Sequence, residues 1–193
     1  MSKTLKVSCI ISLLPKDVFI DNLSMYIYKK IQMKKTEFIK SVYANVSTPP
    51  SVVLRILIGL NKEGLLPKGS HHKDPDLSWK EICLIIYSVY MCGSTPPAIK
   101  KFSAIRKKME VDDQQLLGGI LEALTNANDV KMVFISQRNI IVMKEKENLF
   151  FGYANENELE DIPSMVNKAI QVPGFVFRNF AAAIQMNRSA ILN

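Results

Sequence analysis

The stretch STPPSVVLRILIGLNKEG, Ser47 to Gly64, carries the reading of this chain. Val53, Ile56, Leu57 and Leu60 recur at i, i+3, i+4 and i+7, which stacks them on one face of a helix. A proline in the first turn loses no useful donor, and its fixed φ suits a helix start. Ser47 or Thr48 is placed to cap the free N–H groups that follow. The helix is expected to run to about Glu63, with Gly64 as the glycine beyond its end. Its outward positions are read as Val52, Arg55, Gly59 and Lys62, with Ser51 beside them.

Before this stretch, Thr36 to about Val46 reads as a helix with Phe38, Ile39, Val42 and Tyr43 as its apolar residues. Lys16 to Ile31 reads as an earlier helix. The basic residues Lys29, Lys30, Lys34 and Lys35 cluster where the two meet. After it, Pro67 to Asp76 is a polar loop. Ser78-Trp-Lys-Glu81 has the form of a capping box. It opens a helix from Trp79 to Met91 that is apolar almost all round and therefore expected to be buried.

The tetrapeptide STPP returns at Ser94 to Pro97 and opens a helix to about Glu110. Beyond the prolines the two copies diverge, Ser51-Val-Val-Leu-Arg55 against Ala98-Ile-Lys-Lys-Phe102. The motif therefore reads as one helix start used twice rather than a duplicated module. In the second helix Ile99, Phe102, Ile105 and Met109 are expected inward. Lys100, Lys101, Arg106, Lys107 and Lys108 are left for solvent. Asp112 starts a further helix through Leu116, Leu117, Ile120, Leu121 and Leu124, in which Gly118-Gly119 allows close packing.

The texture then changes. Val130 to Ile135 and Asn139 to Lys144 are β-rich runs joined by a Ser-Gln-Arg-Asn turn, and Leu149 to Tyr153 follows as a third strand. Together they predict an antiparallel meander. Ser164 to Gln171 reads as a short helix broken by Pro173 and Gly174, and Phe175 to Ala190 as helix, or strand then helix. The expected class is mainly α with a small β meander (α+β). A helical part spans residues 1–110 and an α+β part residues 111–193.

Composition bounds the function. Hydrophobic residues make up 48% of 193, which excludes a disordered chain. Cys9, Cys83 and Cys92 form no CxxC pair, and the adjacent His71 and His72 have no cysteine at a ligand spacing. No metal and no cofactor is expected. The thiols read as reduced ones of a cytoplasmic protein. No secretory signal is recognised, and the longest apolar run, Ile82 to Cys92, is too short to span a membrane. No phosphate loop, nucleophile elbow, zinc-protease motif or dinucleotide fingerprint occurs, so no enzyme is expected. The acids Glu156, Glu158, Glu160 and Asp161 read as a solvated loop. A net charge of +7 suggests an anionic partner, most often nucleic acid.

The order helix, short turn, helix, Leu60-Asn-Lys-Glu-Gly-Leu-Leu66, polar loop and Leu77-Ser-Trp79 resembles winged helix-turn-helix domains. More specifically, Thr48-Pro-Pro-Ser-Val52, Leu60 to Leu66 and Pro67-Lys-Gly69 resemble small helix-turn-helix proteins of alphaproteobacterial phages and prophages. The resemblance covers residues 36–92. Where that family's loop is usually rich in glycine and arginine, this one carries Ser70-His-His-Lys-Asp-Pro-Asp76.

The resemblance implies a transcriptional regulator that binds double-stranded DNA, with the helix from Ser51 entering the groove; the more basic helix from Pro97 is either the groove element in its place or a support that tracks the backbone. Arg55 is the base-reading candidate. Lys62, Lys68, His71, His72, Lys73, Lys100, Lys101, Arg106 and Lys107 are candidates for the phosphates. A homodimer is expected, because one short helix reads few bases and a two-fold dimer reads two half-sites. Residues 111–193 then serve dimerisation or a protein partner. The alternative is a protein-interaction module that keeps the helix-turn-helix shape without binding DNA.

Overall fold

The described chain begins with two extended residues, β1 (Met33–Lys34). A computed structural model describes residues 33–68, 74–108, 112–152 and 169–191, all within one compact unit, Ile31–Asn193. The expected helix at 16–31, Lys29, Lys30, Cys9, the acids at 156–161 and residues 164–168 lie outside the described residues. Among those described, the protein is α+β: six helices and two antiparallel sheets.

Helix α1 (Lys35–Asn45) follows β1 directly. Helix α2 (Pro50–Lys62) starts at the first proline pair. Neither Ser47 nor Thr48 caps it. Pro49 is the N-cap residue, without a side-chain cap, and its carbonyl accepts from the N–H groups of Val52 and Val53. Pro50 supplies the pre-set φ at the first helical position.

The other end is as expected. Gly64 has φ +76°, the Leu65 N–H donates to the Leu60 carbonyl at 3.0 Å, and the Gly64 N–H donates to that of Asn61 at 3.1 Å. This is a Schellman closure, which needs a residue that tolerates positive φ. The chain then returns to β2 (Asp76–Leu77), which pairs antiparallel with β1 through Met33–Leu77 and Lys34–Asp76. These two-residue strands carry too little periodicity to be read from sequence.

Helix α3 (Trp79–Met91) has the capping box: the Ser78 N–H donates to Glu81 Oε2 at 2.6 Å, and the Glu81 N–H donates to Ser78 Oγ. Every residue from Ile82 to Val89 is buried, so this helix is a central rod. It packs on α5 (Asp112–Thr125), while α4 (Pro96–Lys108) packs on α2.

The larger sheet comprises β3 (Val130–Ile135), β4 (Asn139–Lys144), β5 (Asn148–Gly152) and β6 (Ile170–Pro173), in the order β5-β4-β3-β6. The first three form the expected meander. The helix expected at Ser164–Gln171 is corrected where it is described. Ile170 and Gln171 are strand, paired with Ile135 and Phe134. The open edge of β3 takes up backbone donors and acceptors that a short helix would leave to solvent. Helix α6 (Gly174–Ile191) follows at once.

Directly opposed residues of an antiparallel pair share a face. Val133–Val142 and Ile135–Ile140 are such pairs, all four with no exposed surface, and Phe151 and Val172 join them. This face meets α5. A Cβ at Gly119 would lie 2.7 Å from Ile140 Cγ2, so the glycine allows the helix to sit that close. On β3 the sheet also meets α6.

Contacts run between the two halves of the sequence. Helix α1 packs on α6, with the rings of Phe38 and Phe180 6.1 Å apart and Asn179 donating to Asn45 Oδ1 at 2.8 Å. Within the second half, Glu122 of α5 pairs with Lys144 of β4.

The core holds two thiols. Burial raises Cys92 from 9.0 to about 11 and Cys83 further still, and it raises the Tyr90 phenol to about 12. Burial would lower Lys144, but hydrogen bonds and charge from Glu122 and Glu147 outweigh it and leave it raised. Each of these groups keeps its proton in the folded chain to a pH at which the unfolded chain has lost it. Stability is therefore full below the unfolded values and falls as pH rises through the folded ones. For Cys92 this loss sets in as pH rises from 9 toward about 11. Urea unfolding midpoints measured from pH 8 to 11 are expected to drop over that window. A flat profile contradicts the burial of these groups.

Candidate nucleic-acid interface

Helix α2 is positioned by its apolar stripe. Val53, Ile56, Leu57 and Leu60 are all buried, as their spacing predicts. The opposite side presents Ser51, Arg55 and Lys62 to solvent. Arg55 lies along its own helix, its Nε–H donating to the Ser51 carbonyl at 3.3 Å. Such a weak, exposed bond leaves the guanidinium available to reach outward.

The same face carries two residues that the sequence reading missed. Leu54 is 48% exposed and Ile58 47% exposed, at i and i+4 between the polar positions. Their signal was present, since both fall outside the buried stripe. The exposed side of α2 is thus mixed, with two large apolar side chains among its cations.

Gly59 does not face outward. A Cβ there would lie 2.7 Å from two atoms of Ile99, so α2 and α4 cross closely at this point. One turn on, Lys107 Nζ lies 3.8 Å from Glu63 Oε2. The pair is partly exposed and weak, and it turns one predicted phosphate ligand toward an acid of its own chain.

Helix α4 is rotated from the expected setting. Ile99 is buried, but the residues buried with it are Ser103 and Arg106, while Ile105 is 40% exposed. Arg106 is therefore not a solvent-facing phosphate contact. Only 5% exposed, it lies 5.1 Å from the Tyr87 ring centroid and 5.5 Å from that of Phe102. An arginine can occupy an apolar-looking position because its planar group is weakly hydrated and stacks on aromatic faces. Lys100 and Lys101 are exposed, as expected.

Lys68 is exposed at the last described residue before the loop, whereas His71, His72 and Lys73 lie outside the described residues. The basic pair at the start of α1 is engaged internally. Lys34 pairs with Asp76 at 2.9 Å, and Lys35 Nζ donates to the Pro67 carbonyl at 3.1 Å. Burial lowers the Lys35 pKa, against the raising effect of Asp74 and Glu81. The Thr36 hydroxyl donates to Asp74. The loop acid Asp74 and the strand acid Asp76 thus hold the loop's return to the start of α1.

Among the described residues no group of three or more His, Cys, Asp or Glu is placed to hold a metal ion. No helix among them is long and apolar enough to cross a membrane. Comparison with protein-family models, curated proteins and solved structures finds no match to this chain.

Proposed function

We propose that the protein binds double-stranded DNA through the exposed side of α2, as a transcriptional regulator of the phage type that its sequence resembles. The observation that supports this most is the setting of α2. It is held rigidly by a buried stripe and presents Arg55 and Lys62, with Lys100 and Lys101 exposed on the helix packed beside it. The order β1-α1-α2-β2, with the two strands paired, is compatible with the winged arrangement.

Arg55 reads a base edge, while Lys62, Lys68, Lys100 and Lys101 hold phosphates. A homodimer reads two half-sites. In fluorescence anisotropy with a mixed duplex pool, binding is expected to weaken as salt rises. With a selected site, Arg55→Ala is expected to reduce discrimination against the wrong base by about 1–3 kcal/mol. Unchanged discrimination removes Arg55 as the reading residue.

The exposed pair Leu54 and Ile58 favours a second reading, in which the same face docks a protein partner. Folded protein that binds no duplex at low salt leaves that reading standing and removes the first.

A further inference from the structure

The larger sheet has two outer edges, and they differ. The edge at β5 is flanked by the charged turn Glu145-Lys-Glu147, a common guard against strand addition. The edge at β6 has no such guard. From Ala169 to Phe177 the sequence carries no charged residue. Phe175 is 54% exposed, the most of any large apolar side chain described, and Ile170 at the other end of β6 is exposed with it. Among the described residues, β6 pairs with β3 alone.

The phase of the backbone decides which groups this edge offers. The Ser136 N–H donates to the Asn139 carbonyl at 2.9 Å, closing the β3–β4 turn. In an antiparallel ladder the N–H and C=O of one residue point the same way, and the direction alternates along the strand. Phe134 therefore turns toward β4, while Val133 and Ile135 turn toward β6 and meet Val172 and Ile170. Gln171 and Pro173 face outward. Proline suits that place, having no N–H to give β3. Gln171 is left as the residue of β6 that directs both an N–H and a C=O outside.

We propose that β6 pairs with β6 of a second copy, antiparallel about a two-fold axis at Gln171. The Gln171 N–H of each copy donates to the Gln171 carbonyl of the other, and Ile170 and Phe175 lose their exposure beside the new ladder. A chain of net charge +7 repels its own copy, and the repulsion is least at an uncharged edge. One unguarded edge per chain closes the assembly at two copies. This pairing rests on the homodimer reading above and supplies its surface.

Sedimentation velocity of the full chain, without DNA, tests it. Between about 1 and 100 µM, a range suited to a small interface, the parent is expected to pass from monomer to dimer. Gln171→Pro removes the outward N–H and no hydrogen bond to β3, and it is expected to weaken the dimer about tenfold or more. Gln171→Ala keeps the N–H and is expected to dimerise like the parent. Phe175→Lys sets like charges at the edge and is expected to weaken the dimer too. Circular dichroism matching the parent protein establishes that each variant is folded. A parent that stays monomeric, a folded Gln171→Pro variant that dimerises like the parent, or a Gln171→Ala variant as weak as Gln171→Pro overturns the proposal. With no DNA present, each of these outcomes leaves duplex binding by α2 to its own test.

Discussion

Replacing Lys62, Lys68, Lys100 and Lys101 together by glutamine is expected to remove most of the salt dependence of duplex binding. Each lysine that neutralises a phosphate releases condensed counterions, and each contributes about 0.9 to the slope of log affinity against log salt. In a homodimer on two half-sites these four lysines make eight contacts, and the affinity of the parent protein is expected to fall roughly 10,000-fold between 50 and 200 mM salt. The variant is expected to bind weakly at low salt and to change little as salt is raised. All four side chains are exposed, so the fold is expected to survive the change. Anisotropy titrations of both proteins across that range decide the matter. A variant with the parent's slope places the phosphate contacts elsewhere on the molecule.

Phe180→Ala is expected to cost about 3–5 kcal/mol, the usual range for emptying a buried aromatic site. Phe180 has no exposed surface and lies between Phe38, at 6.1 Å, and Phe177, at 6.4 Å. It is the point at which α6 holds α1, so the residual cavity would open at the junction of two helices. With a whole-domain stability of about 5–15 kcal/mol, the loss is a large share. Urea unfolding of the two proteins measures it. A shift worth under about 1 kcal/mol, small for a core deletion, contradicts the packing described for this residue.

The candidate site was legible where a single helix decided it. The stripe at Val53, Ile56, Leu57 and Leu60 is local, and its complement leaves Ser51, Arg55 and Lys62 outside whatever the helix packs against. It was not legible where two elements meet. Gly59 reads as an outward position until Ile99 is brought against it. Arg106 reads as a solvated cation until Tyr87 and Phe102, 19 and 4 residues away in the chain, supply faces to stack on.

By itself the sequence determined the helices α1 to α5, the capping box at Ser78, the glycine stop at Gly64, the buried α3 rod and the β3–β4–β5 meander. These depend on contacts between residues a few positions apart, where spacing and cap chemistry act directly. Tertiary structure alone decided that Ile170–Pro173 is a strand, that α4 turns Arg106 inward and Ile105 outward, and that α1 rests on α6. Each of those outcomes is set by a partner far away in the chain. A free strand edge, an aromatic pair and an apolar helix face have no counterpart in the local pattern.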